Sequence, residues 1–295
     1  MKQLLVISGK GGTGKTTLTS GFIKLSNCKA YGDCDVDAPN LHLLTNFQKE
    51  PNRWDFFGMD KAFIDNSECI SCGLCMKNCR FSAITKKQTY KVDSIDCEGC
   101  GLCEALCPVG AIKLNKTKAG DLILYKEKEV FSTARLKIGS GNSGLLVTEV
   151  KKNLKNEISN SHLNSINNQS FTILDGPPGI GCPVIASIND VDMVLIVTEP
   201  SLSGISDMKR ILRTCEKFNV KIAVCINKYD MNMKMSEEIE AFCNENNINF
   251  TGRIPYDSNV VSFTNKGISI VDTESPASEN IKKVYKNMME IFMQK

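Results

Sequence analysis

Residues 3–17 read QLLVISGKGGTGKTT, an apolar run that passes directly into a glycine-rich turn. Gln3 to Ser8 has the short, unbroken hydrophobicity of a buried strand, and Thr16 to Leu25 continues with helix-compatible spacing. Between them Gly9 to Thr17 fits G-x-x-x-x-G-K-[ST], in the strand–loop–helix context which that pattern requires. Glycines let the backbone turn tightly, so that successive N–H groups face phosphate oxygens at a helix N-terminus. Gly11, Gly12, Thr13, Gly14, Lys15, Thr16 and Thr17 are therefore candidate nucleotide-binding residues. Lys15 is placed to reach the β- and γ-phosphates, and the Thr16 hydroxyl to bind Mg²⁺.

Outward from this loop, Ala30 to Asp33 reads as a second strand, ending on Asp33-Cys34-Asp35. Phe171 to Leu174 forms another, ending on Asp175-Gly176-Pro177-Pro178-Gly179. Met193 to Thr198, Lys221 to Ile226 and Asn249 to Ile254 follow, separated by helical patterns at 205–218, 236–246 and 279–293. Strands alternating with helices predict an α/β fold, a doubly wound and mostly parallel sheet. Ser159 to Ser170 is Asn/Ser-rich and reads as a surface loop. Asn227-Lys228-Tyr229-Asp230 is, read literally, the guanine-reading N-K-x-D, so both ATP and GTP stay open at this point.

Cysteine is the compositional outlier: 14 residues, eight of them between Cys69 and Cys107. Clustered cysteines in a chain without export signals point to metal rather than disulfides. Cys69, Cys72, Cys75 and Cys79 form C-x₂-C-x₂-C-x₃-C, and Cys97, Cys100, Cys103 and Cys107 repeat it, followed by Pro108. This is the bacterial ferredoxin spacing, in which the fourth cysteine of each run ligates the other cluster. Cys69, Cys72, Cys75 and Cys107 are thus expected to hold one [4Fe–4S] cluster, and Cys97, Cys100, Cys103 and Cys79 the second. Zinc prefers isolated four-ligand sets and fits this doubled pattern poorly. The segment 56–135, with a hairpin arm at Asp121 to Phe131, reads as an inserted α+β ferredoxin module within a P-loop nucleotide-binding domain made of 1–55 and 136–295. Residues 60–115, which hold both cysteine runs, carry seven Lys/Arg and seven Asp/Glu and are balanced in side-chain charge. Of the remaining cysteines, Cys215, Cys225 and Cys243 read as core filler. His42 and His162 are lone histidines with no ligand neighbours.

The whole chain of 295 residues is 42% hydrophobic and 23% charged, ordinary for a globular protein. Lys+Arg minus Asp+Glu is 36 − 33 = +3, which makes no case for nucleic acid. No aliphatic run approaches the roughly 20 residues of a membrane span. A cytoplasmic location without membrane contact is expected.

Lys10, in K-G-G-T-G-K-T-T, resembles the second lysine of the deviant P-loop in the MinD/ParA family, which includes the nitrogenase iron protein and Mrp-type carriers. The resemblance implies a nucleotide-sandwich homodimer in which Lys10 reaches the partner's nucleotide. It implies that Asp35 positions the attacking water, that Asp33 supports the Mg²⁺ shell, and that Asp175 holds a Mg²⁺-bound water. By the same resemblance the Gly179 N–H senses the γ-phosphate, and Asn227, with Asp230 and the Ile254-Pro255-Tyr256-Asp257 turn, flanks the base. Lys10 favours ATP. Cys182, seven residues after Asp175, has a spacing similar to that of a cluster ligand in the nitrogenase iron protein, though a small residue at a helix start is the plainer reading. The C-terminal amphipathic pattern is expected to close the core rather than bind membrane. The expected function is ATP hydrolysis coupled to electron transfer through two [4Fe–4S] clusters, with a redox partner protein. A cluster-carrier ATPase and a MinD-like positioning ATPase are the alternatives.

Overall fold

The protein was analysed as a computed structural model, which describes residues 1–160 and 171–294. The strands are β1 (Lys2–Ser8), β2 (Ala30–Asp33), β3 (Asn52–Phe57), β4 (Lys61–Ile64), β5 (Ile84–Lys86), β6 (Tyr90–Val92), β7 (Ile112–Asn115), β8 (Lys118–Lys126), β9 (Val130–Leu136), β10 (Phe171–Pro178), β11 (Met193–Thr198), β12 (Lys221–Asn227) and β13 (Asn249–Ile254). The helices are α1 (Lys15–Ser26), α2 (Leu74–Asn78), α3 (Leu102–Ala105), α4 (Ser143–Asn160), α5 (Cys182–Ile188), α6 (Leu202–Cys215), α7 (Met233–Glu245), α8 (Asn259–Asn265) and α9 (Pro276–Met293).

Nine strands make one sheet in the order β13-β12-β11-β1-β10-β2-β9-β8-β3. Pairing is parallel from β13 to β9 and antiparallel along β9-β8-β3. Alternation along β1 shows why both faces need helices. Leu5 and Ile7 enter one core with α4, α5, α6 and α7, while Leu4 and Val6 enter the other with α1 and α9. The same division separates Val194 and Ile196 from Met193, Leu195 and Val197. Strands covered on both faces read as continuous apolar runs, which is why the sequence reveals them.

Two strand pairs stand apart from this sheet, β4 with β7 and β5 with β6, and the cysteine runs lie between their strands. The hairpin expected as an arm of the cysteine segment does not belong with them. β8 and β9 pair into the large sheet because Leu122, Leu124, Val130, Ala134 and Leu136 are buried in the same core as Leu146, Val150 and Leu154 of α4. The chain therefore leaves the large sheet after Phe57 and rejoins it at Lys118, two residues paired side by side. Ser159 and Asn160 close α4, and the rest of the expected 159–170 loop, with His162, lies outside the described residues.

Helix starts fall earlier than the apolar patterns predict, because caps fix them. Ser201 accepts the Gly204 N–H, Asn232 the Met235 N–H and Ser275 the Ser278 N–H. In α9, Ile281, Val284, Met288 and Phe292 are buried, so this helix closes the core as expected. Each such side chain contributes about 1.5–3 kcal/mol before conformational entropy is counted. No helix among the described residues is long and apolar enough to cross a membrane. Ser275→Ala removes the α9 cap and is expected to cost about 1 kcal/mol, read as a fall of a few degrees in the thermal midpoint by circular dichroism.

Candidate functional site

β1, β10 and β2 lie side by side and run the same way, so Ser8, Asp175 and Asp33 meet at the carboxyl end of the sheet. Ligands of open α/β sheets bind at that end. The loop after β1 turns through Gly12 (φ 79°) and Gly14 (φ 84°) to start α1 at Lys15. Left-handed backbone favours glycine at both positions. At Gly14 there is no room either, since a Cβ would run into the Asn227 amide.

Asp175 is fully buried beneath this loop. Its Oδ1 accepts from Lys15 Nζ (3.1 Å) and Thr19 Oγ1 (3.0 Å), and its Oδ2 from Thr16 Oγ1 (2.6 Å). Asp35 Oδ2 lies 4.0 Å from the same ammonium. Burial alone would lower the Lys15 pKa, but Asp175, Asp33 and Asp35 outweigh it and hold the group above its ordinary value. The Lys15 charge is therefore secure in a site nearly closed to water.

Asp33 and Asp35 divide their work. Asp33 accepts the backbone N–H groups of Asp35, Asn40 and Leu41, each at 3.0 Å. Burial first, and then the neighbouring Asp175 carboxylate, push its pKa up to about 7. Asp33 thus shapes the loop 34–41, while Asp35 faces the cavity. Burial also raises the Asp35 pKa. Gly179 takes a backbone with φ 94°, and its N–H donates to Ser8 O (2.9 Å).

A cavity of about 630 Å³ is lined by Lys10 to Thr17, Asp35, Asn227 and Ile254 to Asp257. Asn227 Nδ2 donates to Thr13 O (2.7 Å), which ties the base-side loop to the phosphate loop. Pro255 lines the cavity, but Asp230 does not. Asp230 Oδ1 instead accepts the Tyr256 N–H (2.7 Å) and pins the Ile254–Asp257 turn.

Glu199 and Thr19 escaped the sequence reading. Glu199 follows β11, next to β1 in the sheet, and strand-end position was the available signal. Its carboxylate lies between Lys10 Nζ (2.9 Å) and Lys228 Nζ (2.5 Å), and Lys228 also donates to Gly12 O (3.0 Å). Burial pushes Glu199 up, yet the two ammonium groups prevail and hold its pKa below the ordinary carboxylate value. Thr19 stands one helical turn beyond Lys15, on the face turned to Asp175.

The cysteine runs share a small core of their own. Cys75 and Cys97 are buried in a small core with Ile64, Ile84, Tyr90 and Ile112, and Cys69, Cys79, Cys103 and Cys107 pack against it. Burial raises the Cys75 pKa, with Cys69 and Cys72 close enough to add to the effect, and Cys103 stands likewise to Cys97 and Cys100. Cys79, Cys97, Cys100 and Cys103 line a common small cavity, walled by Ala62, Phe81, Ile84 and Leu114, with Asn78 and Glu98 at its edge. Ala111 N donates to Cys107 Sγ (3.3 Å). Among the described residues no three His, Cys, Asp or Glu side chains converge as they would on one metal ion. Cys215 and Cys225 are buried, and burial pushes both up to about 12; Cys243, buried as well, rises to about 11. These three are protonated core side chains. Cys182 is an exposed thiol at the start of α5, while Cys34, between Asp33 and Asp35, is fully buried and pushed up to about 12 by burial.

Residues 4–270 match the family model described as the CobQ/CobB/MinD/ParA nucleotide binding domain. An uncharacterized protein of Methanocaldococcus jannaschii is 33% identical, over 98% of this chain and 96% of its own length. An iron-sulfur cluster carrier protein of the same organism is 29% identical over 41% of this chain and 46% of its own length. Among solved structures, the septum site-determining protein MinD complexed with Mg-ADP, from Pyrococcus horikoshii, aligns with a TM-score of 0.56 at 18% identity, over 97% of this chain and 95% of that one.

Proposed function

The chain belongs to the CobQ/CobB/MinD/ParA nucleotide-binding family, and from that premise we propose that it is an ATPase whose nucleotide state governs electron transfer through two [4Fe–4S] clusters in an inserted ferredoxin-like module. One observation carries the second half of the reading. The four thiols that the doubled spacing assigns to one cluster, from two different runs, line a single apolar-walled cavity. A cubane spreads its thiolates over four irons, so thiols ringing a cavity suit it better than thiols converging on a point. The division of the chain, expected at 1–55 with 136–295 against 56–135, is part of this proposal with its bounds moved, because the hairpin Lys118–Leu136 pairs into the large sheet: the cysteine module is 58–117 and the remainder is the ATPase domain.

In the ATPase half, the backbone N–H groups of the phosphate loop and Lys15 would neutralise the β- and γ-phosphates. Thr16 directly, and Asp175 through water, would hold Mg²⁺, whose charge offsets that of the phosphate oxygens. Asp35, the carboxylate facing the cavity, would orient the attacking water. Thr19 keeps Asp175 in register. The Asp230 carboxylate is engaged with the Tyr256 backbone, which removes it from base reading and supports ATP over GTP. Lys10 would exchange Glu199 for a nucleotide across a homodimer interface. In the cysteine module, Cys69, Cys72, Cys75 and Cys107 would hold one cluster and Cys79, Cys97, Cys100 and Cys103 the other. Bound clusters supply one-electron storage and transfer.

Protein purified without oxygen should show reduced-state EPR spectra or midpoint potentials that differ between no nucleotide, ADP and a non-hydrolysable ATP analogue. Indifference of both to nucleotide would defeat the coupling. The similarity to an iron-sulfur cluster carrier favours a second reading, in which clusters are donated. Rapid activation of an apo-acceptor protein would support that reading, and retention of both clusters the first.

A further inference from the structure

The repeat that carries the cysteines extends beyond them. Asp65 and Asp93 each stand four residues before a run, and Ala83 and Ala111 four residues after one. The Asp65 N–H donates to Ala111 O (2.8 Å) and the Asp93 N–H to Ala83 O (2.7 Å). Each aspartate also accepts the N–H two residues on, from Ser67 (2.9 Å) and Ile95 (2.8 Å). Left-handed backbone recurs at Ser71 (φ 56°) and Gly99 (φ 68°), and at Gly73 (φ 78°) and Gly101 (φ 75°). The halves are thus equivalent position by position. A difference between equivalent residues is then a difference between the two ligand sets.

Several equivalent positions differ in charge, Ile70 against Glu98 among them, and the one that is buried lies four residues before each aspartate, where the first half has Lys61 and the second Thr89. Lys61 is 8% exposed, and its ammonium donates to the carbonyl of Cys97. None of the ion pairs among the described residues includes it. The crossed repeat thus sets a residue of the first half against the second cysteine run. Against the first run, at Gly73, stands the neutral Tyr90 hydroxyl. A buried ammonium without a counter-ion acts strongly on nearby charge in low-dielectric surroundings. Cluster potential responds to net charge and burial, so a cation close to one centre favours its reduced form.

We propose that Lys61 raises the reduction potential of the cluster held by Cys79, Cys97, Cys100 and Cys103 above that of its twin, so that an electron entering either site settles on the second. This rests on the reading that two clusters are bound. Ile95 and Glu98 of the second half approach Gly139 and Gly141, in the loop that follows β9. The favoured electron therefore rests on the side of the module that meets the ATPase domain.

The test is an EPR-monitored redox titration of anaerobically prepared protein, with mediators and dithionite. The unsubstituted protein should show two midpoints whose reduction equilibria differ at least tenfold, about 59 mV for one electron. The higher midpoint should survive in Cys72→Ala and be lost in Cys100→Ala. Lys61→Gln keeps a donor for the carbonyl and removes the charge. It should lower the higher midpoint by about the same tenfold factor and leave the other within about threefold. Equal midpoints in the unsubstituted protein would overturn the proposal. So would a Lys61→Gln protein that holds about eight irons with both midpoints unchanged, even if Lys61→Met lost iron, because Lys61 would then act only as a hydrogen-bond donor. A preparation without iron would instead remove the reading on which the proposal rests.

Discussion

Lys15→Met is expected to lower the rate of ATP hydrolysis by about 10²–10³-fold, or about 3–4 kcal/mol in barrier height. Lys15 is nearly closed to water, bonded to Asp175 and within 4.0 Å of Asp35. Charge developing on the transferred phosphoryl group needs a fixed cation, and burial makes that cation worth more than it would be in water. Methionine keeps the length of the stem and removes the charge, so the carboxylates of Asp33, Asp35 and Asp175 lose their shared ammonium. Asp33, already pushed up to about 7, can take a proton, and this lets the fold survive the loss. Steady-state phosphate release should therefore collapse while the circular-dichroism spectrum persists. Turnover within threefold of the unsubstituted protein would take Lys15 out of the chemistry.

Cys103→Ala is expected to cut iron and acid-labile sulfide from about eight to about four per chain, with Cys75→Ala giving the same loss. Each thiolate would hold one corner of a cubane, and the wall of the cavity around Cys103 is mainly apolar, with Asn78 and Glu98 its only polar side chains besides the cysteines. Cys225→Ala serves as the control. That thiol is buried and pushed up to about 12, so its loss should disturb packing and leave iron unchanged. Iron analysis of anaerobically purified protein decides the matter. Full iron in Cys103→Ala and Cys75→Ala, or a colourless unsubstituted protein holding zinc, would end the cluster reading.

The phosphate loop and the cysteine spacing were legible because their chemistry is local. A few adjacent residues set the backbone angles and the donors, whatever surrounds them. The buried strands were legible for a similar reason, since cover on both faces leaves no polar alternation. The hairpin Lys118–Leu136 was visible as strands but not as part of the large sheet. Its partner β2 lies almost a hundred residues away in sequence, and only burial against α4 reveals the pairing. Helix α4 itself went unread, although Leu146, Val147, Val150, Leu154 and Ile158 lie on one face, because its exposed positions are strongly polar. Roles within a motif were less legible than the motif. Within Asp33-Cys34-Asp35 the first acid is expected to support the Mg²⁺ shell and the second to position water. Their two-residue spacing on a bending chain sends the first to backbone N–H groups instead and the second to the cavity. Glu199 has no motif at all, and only sheet order brings it to Lys10.

Phe57 and Lys118 are partners across one antiparallel pair, so the sixty residues between them hang from a seam no wider than a hairpin turn. A short reverse turn in their place would leave β3 and β8 paired as they stand. The cysteine segment can thus be exchanged for a turn without re-registering the sheet beneath it.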